Sequence, residues 1–280
     1  MRAEWIVVLA ACHVPGIDLA GKSCPCPSGY SCDLATNTCM LGDAASAPDA
    51  TDALADARES YRDVVLSDHP VAYWRLGDID PIARDEIGSN DGAYSGACTQ
   101  GAAGAIAGDM NTAVTFDGST CKVTLPAAFP FAGTTPYSVE AWVSTTANAQ
   151  FQMIFCEETR NATNPIDGYG LLVTPTTASG GFELEREISM AAIKTPIEPA
   201  ANGYQHVVAT YDGSDVALYV NGAFIGQSAD TRTAAAITQL PIIGASVAGN
   251  PFTGTLDEIA LYDTALSASR IAAHYAAGTQ

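Results

Sequence analysis

The composition of the chain limits the partners that it can bind through electrostatics. Its 280 residues include 31 acidic and 12 basic side chains, which gives a formal net charge of -19 at pH 7. Nucleic acids and anionic membrane surfaces are polyanions, so this charge argues against either as a partner. The sequence also has no apolar run near the ~20 residues that span a bilayer. A chain of this length can form one β-sandwich of ordinary size with additional segments.

The N-terminal residues are typical of an export signal. Arg2 supplies a positive charge, Ile6 to Leu9 form an apolar patch, and the run that ends at Cys12 reads Leu-Ala-Ala-Cys. This run resembles the lipobox of bacterial lipoproteins, in which the cysteine is lipidated and becomes the new N-terminus. We predict a signal peptide over residues 1–12, export, and membrane contact only through a lipid on Cys12. The alternative is that Cys12 is an ordinary cysteine.

A cysteine-rich segment follows over residues 13–40. It contains Cys24, Cys26, Cys32 and Cys39 among Gly and Pro residues, with too few apolar side chains for a core of its own. Disulfides hold such small exported segments together, so the sequence predicts a disulfide knot and leaves three pairings open. A zinc site is the alternative, but Cys-x-Cys brings its ligands closer than the usual spacing, and no histidine lies within the cluster.

Residues 41–60 are rich in Ala and Asp. Such a stretch has too little apolar bulk to offset the entropy that is lost on ordering, and its like charges repel. We expect a flexible linker here, with transient helix near Asp52 to Tyr61 as the alternative.

The stretch from Gly203 to Gln227 predicts three antiparallel strands. Asp212-Gly213 and Asn221-Gly222 accept positive φ at low cost, and each interrupts a run rich in Val, Tyr, Phe and Ile. Between these two turns, large apolar side chains alternate from Val216 to Val220, which is the pattern of a strand with one face on a core.

The same stretch resembles a known family. His206 begins the pattern His-Val-Val-x-Thr-Tyr-Asp-Gly, and Leu218 begins the pattern Leu-Tyr-Val-Asn-Gly. Together they resemble the hairpin of laminin-G-like jellyroll domains, which belong to the concanavalin A-like lectin and glucanase fold. The family usually has Trp where this chain has Tyr204. The resemblance implies an all-β, two-sheet antiparallel jellyroll sandwich over residues 61–280, with a short helix at its C-terminal end.

Other segments predict the remaining strands of this sandwich. Turns or alternating apolar side chains indicate the strands near residues 88–96, 111–119 and 137–144, and the first and last segments resemble the family's first and last strands. The segments are 71–78, 88–96, 111–119, 137–144, 151–157, 169–174, 181–188, 240–244 and 252–263. The last of them carries the Leu-Asp-Glu of the family's final strand. Ser267 is the predicted N-cap of the closing helix, and Gly278 is expected just past its end.

Three further cysteines lie in the predicted sandwich. Cys98 and Cys121 bracket a loop and an adjoining strand, so we expect a disulfide between them. Cys156 lies in an apolar strand, where a buried thiol is common, and nothing around it indicates a catalytic nucleophile.

Catalysis is a second interpretation, because the same fold serves glucanases, whose acidic residues alternate on one strand. Glu183, Glu185 and Glu187 have that spacing. The glucanase pattern has Asp in the middle with aromatic residues around it, whereas this chain has Glu there. A solvated acidic face is therefore preferred over a glycan hydrolase. No nucleophile elbow accompanies the histidines, which are His13, His69, His206 and His274.

The resemblance also implies a calcium site. Domains of this fold frequently bind calcium through oxygens of the early turn and the final strand, and Ca²⁺ takes about six to eight such ligands. Asp85, Asn90 and Asp257 occupy the matching positions, with Asp91 and Asp117 behind them. The alternative is that these residues serve plain turns, since Asp91 and Asp117 each precede glycine.

The resemblance implies that the domain binds carbohydrate or a cell-surface protein without catalysis. Strand alternation places Trp142 and Glu140 opposite the core-directed Val139, Ala141 and Val143, so we expect them to contact the ligand. A covered indole is the alternative for Trp142. The two competing functions are a glycan-active hydrolase and a structural assembly domain without a small ligand.

Lipidation gives the first testable prediction. Cells grown with a labelled fatty-acid analogue should incorporate the label into the wild-type protein and not into Cys12→Ser, because only the Cys12 thiol is expected to carry the lipid. Cys156→Ser serves as the matched control and should label like the wild type. Equal labelling of wild type and Cys12→Ser would contradict the prediction.

Overall fold

The computed structural model describes residues 30–33, 38–41, 59–129, 131–159, 167–178, 180–186, 195–196 and 203–280. The chain divides into two compact units, Met1–Arg58 and Glu59–Gln280. In the first unit, β1 (Tyr30–Asp33) pairs with β2 (Thr38–Leu41) in antiparallel fashion, and Cys32 lies opposite Cys39. Cys12, Cys24 and Cys26 lie outside the described residues, so the lipid anchor and the disulfide knot stay predictions.

The second unit contains two helices and, among its described residues, sixteen strands. The helices are α1 (Tyr61–Ser67) and α2 (Ala268–Gly278). The strands are β3 (Ala72–Trp74), β4 (Ile82–Ala83), β5 (Gly92–Ser95), β6 (Thr99–Ala103), β7 (Thr112–Asp117), β8 (Lys122–Thr124), β9 (Tyr137–Thr145), β10 (Gln152–Thr159), β11 (Asp167–Val173), β12 (Gly181–Arg186), β13 (Thr195–Pro196), β14 (Gln205–Tyr211), β15 (Asp215–Val220), β16 (Ala223–Ala229), β17 (Ile242–Ile243) and β18 (Thr253–Tyr262).

These strands form two eight-stranded sheets. Sheet 1 has the order β13-β12-β11-β10-β17-β8-β5-β4, and sheet 2 has the order β16-β15-β14-β9-β18-β7-β6, with β3 also paired to β18. The described pairings within both sheets are antiparallel. Some strands that follow one another in sequence, such as β9 and β10, lie in different sheets. The predicted all-β jellyroll sandwich is therefore confirmed.

The main hydrophobic core lies between the two sheets. Its members come from alternate positions of strands in both, and the predicted inner face of β9, formed by Val139, Ala141 and Val143, is fully buried in it. In the predicted three-strand stretch, β14, β15 and β16 form the expected meander. Its second turn uses Asn221 and Gly222, whose φ angles of 52° and 73° match the requirement for positive φ in a tight hairpin.

A second apolar cluster covers the outer face of sheet 2. There, α1 and α2 pack onto β9, β14 and β18, and Tyr61, Val65 and Ile271 contribute buried side chains from the helices. Helix α1 was not predicted. It has only seven residues, so its stability comes from the packing of its apolar side chains rather than from local propensity. Ser60 caps it, since its Oγ accepts a hydrogen bond from Asp63 N at 3.2 Å.

Helix α2 closes the domain. The predicted N-cap is confirmed, because Ser267 Oγ accepts a hydrogen bond from Arg270 N. The prediction for Gly278 is wrong by one position, since Gly278 is the last residue of the helix rather than the first beyond it. A Cβ at this position would lie 2.3 Å from the Trp142 ring, so only glycine lets the helix end rest on the indole.

The final strand contains a bulge at the Leu-Asp-Glu motif. The register of β18 against β9 shifts between Asp257 and Ala260, and Glu258 takes a positive φ of 51°. A non-glycine residue in this region is strained and persists only when its surroundings hold it. The Glu258 carboxylate accepts hydrogen bonds from the Tyr73 hydroxyl and the Arg75 guanidinium, which provide that restraint.

The predicted disulfide between Cys98 and Cys121 is present. It links the residue just before β6 of sheet 2 to the residue just before β8 of sheet 1. Cys156 is a buried thiol in β10. Within the described ranges, we find no helix that is both long enough and apolar enough for a membrane crossing.

Candidate ligand-binding site

Three neighbouring strands of sheet 1 place one polar or aromatic side chain each in a row. Glu157 on β10 lies opposite Tyr169 on β11, and Tyr169 lies opposite Arg186 on β12. Alternation directs all three toward sheet 2, because Phe155 and Leu184, two positions away on their strands, are core residues. The register of β10, β11 and β12 thus brings a carboxyl group, a phenol and a guanidinium group together inside the sandwich.

Glu157 is held as a hydrogen-bond acceptor. Its Oε1 accepts from Phe129 N at 2.9 Å, and its Oε2 accepts from the Tyr169 hydroxyl at 2.8 Å. Burial raises the pKa of Glu157 to about 7, and these two hydrogen bonds oppose the rise. The carboxyl group therefore changes its charge near neutral pH.

Arg186 is 1% exposed and ties two loops to sheet 1. Its Nη1 donates to Asp230 Oδ2 at 3.1 Å, and its Nη2 donates to Gly133 O at 2.6 Å. The guanidinium also lies over the Tyr211 ring, 3.9 Å from the centroid, in a cation–π contact. Burial by itself raises the pKa of Asp230, but Arg232 and Arg186 lower it to about 2. The Arg186 charge is thus balanced within the protein.

The row borders a cavity of about 190 Å³. Four aromatic rings form part of its wall, with Tyr137 and Tyr169 centroids 4.7 Å apart and Phe131 stacked on Tyr137 at 5.2 Å. The cavity is lined by Ala128, Phe129, Phe131, Ala132, Tyr137, Glu157, Gly168, Tyr169, Arg186, Ala234, Ala235, Ala236 and Ile237. Ala235 and Ala236 are exposed, so small side chains form the rim and leave the entrance open.

Two loops form the entrance, and they are joined by backbone hydrogen bonds. Gly133 N donates to Ala234 O at 2.8 Å, and Ala234 N donates back to Gly133 O at 3.0 Å. On the β11 side, Gly168 has a φ of 117°, and a Cβ there would lie 2.7 Å from Ile237 Cδ1. Glycine at this position is what allows Ile237 to approach β11.

Trp142 and Glu140, the predicted ligand contacts, lie on the face of sheet 2 that is opposite the core, as expected. That face is not open to solvent. Trp142 is 2% exposed and Glu140 is 0% exposed, because α1 and α2 cover them. The indole packs edge-on against Tyr61 and stacks on Tyr275. The expectation of an exposed indole is therefore wrong, and the alternative of a covered ring is what the structure shows.

Glu140 is the centre of a buried polar network. Its Oε1 accepts from Tyr61 Oη at 2.8 Å and from His206 Nε2 at 2.6 Å, and its Oε2 accepts from Tyr262 Oη at 2.7 Å. His274 Nδ1 donates to both carboxylate oxygens at 3.0 Å. The network therefore joins α1 and α2 to three strands of sheet 2.

His274 bridges two carboxylates. Its Nδ1 contacts Glu140, and its Nε2 lies 2.7 Å from Asp68 Oδ2. Burial lowers the pKa of His274, but Glu140 and Asp68 outweigh it, so the net pKa is raised. Burial likewise raises the pKa of Glu140, yet His274 and His206 hold it well below its usual range. The helices are thus docked by an imidazolium between two carboxylates.

The residues predicted to bind calcium make hydrogen bonds within the protein. Asp85 Oδ1 accepts from Tyr73 N and Ile87 N, while Oδ2 accepts from the backbone and side-chain nitrogens of Asn90. These donors use the lone pairs that a metal ion needs, so Asp85 fits a turn rather than a cation. Asp257 instead accepts from Ala105 N through Oδ2. Asp91 and Asp117 likewise accept backbone N–H groups of their turns.

Across the residues that the structure describes, no group of three or more His, Cys, Asp or Glu side chains could hold a metal ion. Calcium binding by this chain stays a prediction. It would need ligands beyond the Asp85 turn.

The acidic strand faces away from the cavity. Phe182, Leu184 and Arg186 of β12 point inward, so Glu183 and Glu185 point to the outer face of sheet 1, where both are buried. The predicted alternation of Glu183 and Glu185 on one face is observed, but a solvated face is not. Glu187 lies outside the described residues.

Sequence reasoning did not identify Glu157, Tyr169 or Arg186. One signal was available for Glu157, because a carboxylate in the apolar run of β10 must have partners if it is buried. Nothing local indicated that the partners are Phe129 N and the Tyr169 hydroxyl, since these depend on strand register and on a loop.

The fold is a jellyroll sandwich with a cavity between its sheets. The Laminin_G_3 family model, described as concanavalin A-like lectin/glucanases superfamily, matches residues 117–272, which is more than half of the chain. The chain therefore belongs to this family. A search of curated proteins found no significant sequence match.

Solved structures with the same fold include binding domains and domains of glycan-active enzymes. The botulinum neurotoxin serotype D binding domain has a TM-score of 0.56 at 13% identity, over 76% of this chain and 52% of that one. A second structure is domain 4 of AbnA, an arabinanase of Geobacillus stearothermophilus, in complex with arabinotriose. It has a TM-score of 0.50 at 18% identity, over 74% of this chain and 98% of that one. Trypanosoma rangeli sialidase has a TM-score of 0.53 at 15% identity, over 74% of this chain and 32% of that one. The chain thus spans about half the length of the neurotoxin binding domain.

The buried network predicts how stability depends on pH. The raised pKa of His274 gives a contribution that is complete below ~6.5 and is lost as pH rises through its folded value. The lowered pKa of Glu140 gives a contribution to stability that is present above pH ~4.5 and is lost as the pH falls through the folded-state pKa. We expect the network to stabilise the domain most between pH ~4.5 and ~6.5.

Glu140→Gln tests this prediction in thermal unfolding at pH 5.5 and pH 9. It leaves His274 without one buried partner, so it should lower the free energy of unfolding by about 3 kcal/mol at pH 5.5 and reduce the difference between the two pH values. Glu86→Gln, which removes an exposed ion pair with Arg62, should change it by less than about 1 kcal/mol. Equal effects of the two variants would show that the network does not dock the helices.

Proposed function

We propose that this domain is a non-catalytic binding module for carbohydrate, and that one sugar unit enters the cavity beside Glu157, Tyr169 and Arg186. The observation that carries the proposal is the combination of aromatic rings with a hydrogen-bonding acid and base in one cavity. Sugar rings stack their C–H faces on aromatic side chains and pair their hydroxyl groups with charged or polar groups. A small, concave, largely apolar site with few polar groups is what ligand pockets offer.

The size of the cavity favours a single ring. Its volume of about 190 Å³ is below the ~300 Å³ at which pockets for larger ligands begin. The exposed Ala235 and Ala236 at the rim leave room for the rest of a longer glycan outside. The module would therefore recognise a terminal or protruding unit.

The arrangement of carboxyl groups favours binding over hydrolysis. A glycosidase needs two carboxyl groups on either side of the scissile bond, about 5 to 9.5 Å apart. Glu157 is the only carboxyl group among the described residues that line the cavity, and Glu183 and Glu185 point to the other face of the sheet. The hydrolase alternative would thus need a separate site on the outer face of β12.

Family membership is consistent with this proposal, because the fold occurs both in AbnA domain 4 with arabinotriose and in receptor-binding domains. A cell-surface protein is the alternative partner, since a neurotoxin binding domain of this fold is seen in complex with synaptotagmin II. Among the described residues that line the cavity, the exposed ones at the rim are small rather than large and apolar, and this favours a glycan over a protein partner. A structural assembly role would need no cavity.

We place the module outside the cytosol. The Cys98–Cys121 disulfide supports this, because such bonds persist in oxidising compartments. With the lipid predicted on Cys12 and the linker over residues 41–60, the domain would be displayed on a flexible tether at a membrane surface.

Blocking the cavity entrance tests the proposal. Ala236→Trp places a bulky ring at the rim and should reduce binding to responsive glycans on an array, and in calorimetry, by at least about tenfold, because the ring competes for the entrance. Ala223→Trp, on the edge strand β16, is the matched control and should bind like the wild type. Release of reducing ends should stay at background for all three proteins.

Two results would contradict the proposal in different ways. Glycan binding that Ala236→Trp leaves unchanged would place the site elsewhere on the domain. Turnover that is lost in Glu183→Gln would establish the hydrolase alternative.

A further inference from the structure

The polar groups of the cavity restrict the chemistry of its ligand. Glu157 already accepts one hydrogen bond on each oxygen, from Phe129 N and Tyr169 Oη. Each carboxylate oxygen has a second lone pair, so Glu157 can accept from a ligand as well. It offers the ligand an acceptor.

Arg186 offers the complementary group. Its Nη1 and Nη2 donate to Asp230, Arg232 and Gly133, whereas its buried Nε has no hydrogen-bond partner within the described part of the chain. A buried N–H without a partner is costly, so a ligand oxygen that accepts from Arg186 Nε would be favourable. Glu157 and Arg186 are both buried residues of the cavity lining, and each keeps hydrogen-bonding capacity that a ligand could use.

A ligand hydroxyl group can donate to Glu157 and also accept from Arg186 Nε. A carboxylate on the ligand would be an acceptor only. It would also face Glu157, and the Arg186 charge that could attract it is already paired with Asp230. The charges around Glu157 are thus the Arg186 guanidinium with its Asp230 and Arg232 partners, while β9 and β11 contribute the phenols of Tyr137 and Tyr169.

We infer that the cavity takes a neutral, hydroxyl-bearing sugar unit in preference to an acidic one, and that ionised Glu157 is the acceptor for its hydroxyl group. This rests on the proposed carbohydrate-binding function and assigns its ligand class and its pH response. A hydrogen bond to a carboxylate is about twice as strong as one to a neutral acceptor. Binding should therefore strengthen as Glu157 loses its proton.

The pH range follows from the environment of Glu157. Burial raises its pKa to about 7 in the free protein, and the Tyr169 hydrogen bond holds it lower than burial alone would. The affinity for a neutral sugar should thus rise by roughly tenfold between pH 5.5 and pH 8.5, and most of the change should occur around neutral pH.

NMR titrations of the isotope-labelled protein test this with D-glucose and D-galactose beside D-glucuronic and D-galacturonic acid, at pH 5.5 and 8.5. We expect a neutral sugar to bind more tightly than its uronic acid, and more tightly at pH 8.5. Glu157→Gln keeps the size of the side chain and removes its charge. It should bind more weakly at pH 8.5 and show little pH dependence, with its thermal unfolding as the check on folding.

Tyr169→Phe provides a second variant. It removes the hydroxyl that donates to Glu157 Oε2, so the pKa of Glu157 should rise and the midpoint of the pH dependence should move to higher pH. A residue that only supports the fold would not move this midpoint.

The outcomes separate the inference from the function on which it rests. Tighter binding of the uronic acids, or neutral-sugar binding with no pH dependence in the wild type, would overturn the inference and leave carbohydrate binding standing. Absence of binding by every sugar, at both pH values and on a glycan array, would remove both.

Discussion

One buried carboxylate holds two helices over the outer face of sheet 2. Glu140 lies at the middle of sheet 2 and receives hydrogen bonds from Tyr61, Tyr262, His206 and His274. A buried charge of this kind must keep all its partners. Two of them lie on helices at the N-terminal and C-terminal ends of the domain's sequence. The helices are therefore fixed over the sheet, and the surface where jellyroll alternation places Trp142 is closed.

Closing that face leaves the inner row of sheet 1 as the candidate site. Glu157, Tyr169 and Arg186 stand on neighbouring strands, and Arg186 reaches across to the loops at Gly133 and Asp230 that form the entrance. The same guanidinium thus positions the loops and balances the charge of the cavity. The Glu140 network thus has a structural role, and the binding role is the one that we propose for the row of Glu157, Tyr169 and Arg186.

The sequence predicted the features that depend on local chemistry. The turn at Asn221-Gly222, the inward alternation of β9 and the cap at Ser267 are each determined by a few adjacent residues, and the structure contains all three. Helix α1 could not be predicted in this way, because a seven-residue helix is stabilised by the sheet beneath it.

The site was beyond local reasoning for a related reason. Trp142 was placed on the correct face, but its exposure depends on the two helices that cover it. Glu157, Tyr169 and Arg186 are neighbours only through the register of β10, β11 and β12. Register between strands is a property of the folded sheets. The sequence shows these three residues, but it does not show that they lie next to one another.

A ligand that enters the Glu157 cavity should leave the closed Glu140 face unchanged. Hydrogen–deuterium exchange of the whole protein, with and without a glycan selected on an array, measures both faces together. We expect slower exchange at Tyr137, Tyr169 and Ala236 on ligand addition, and no change at Ala141 to Val143. Protection confined to Ala141 to Val143 and to α2, with none at Tyr137, Tyr169 or Ala236, would mean that the ligand binds on the outer face of sheet 2 instead.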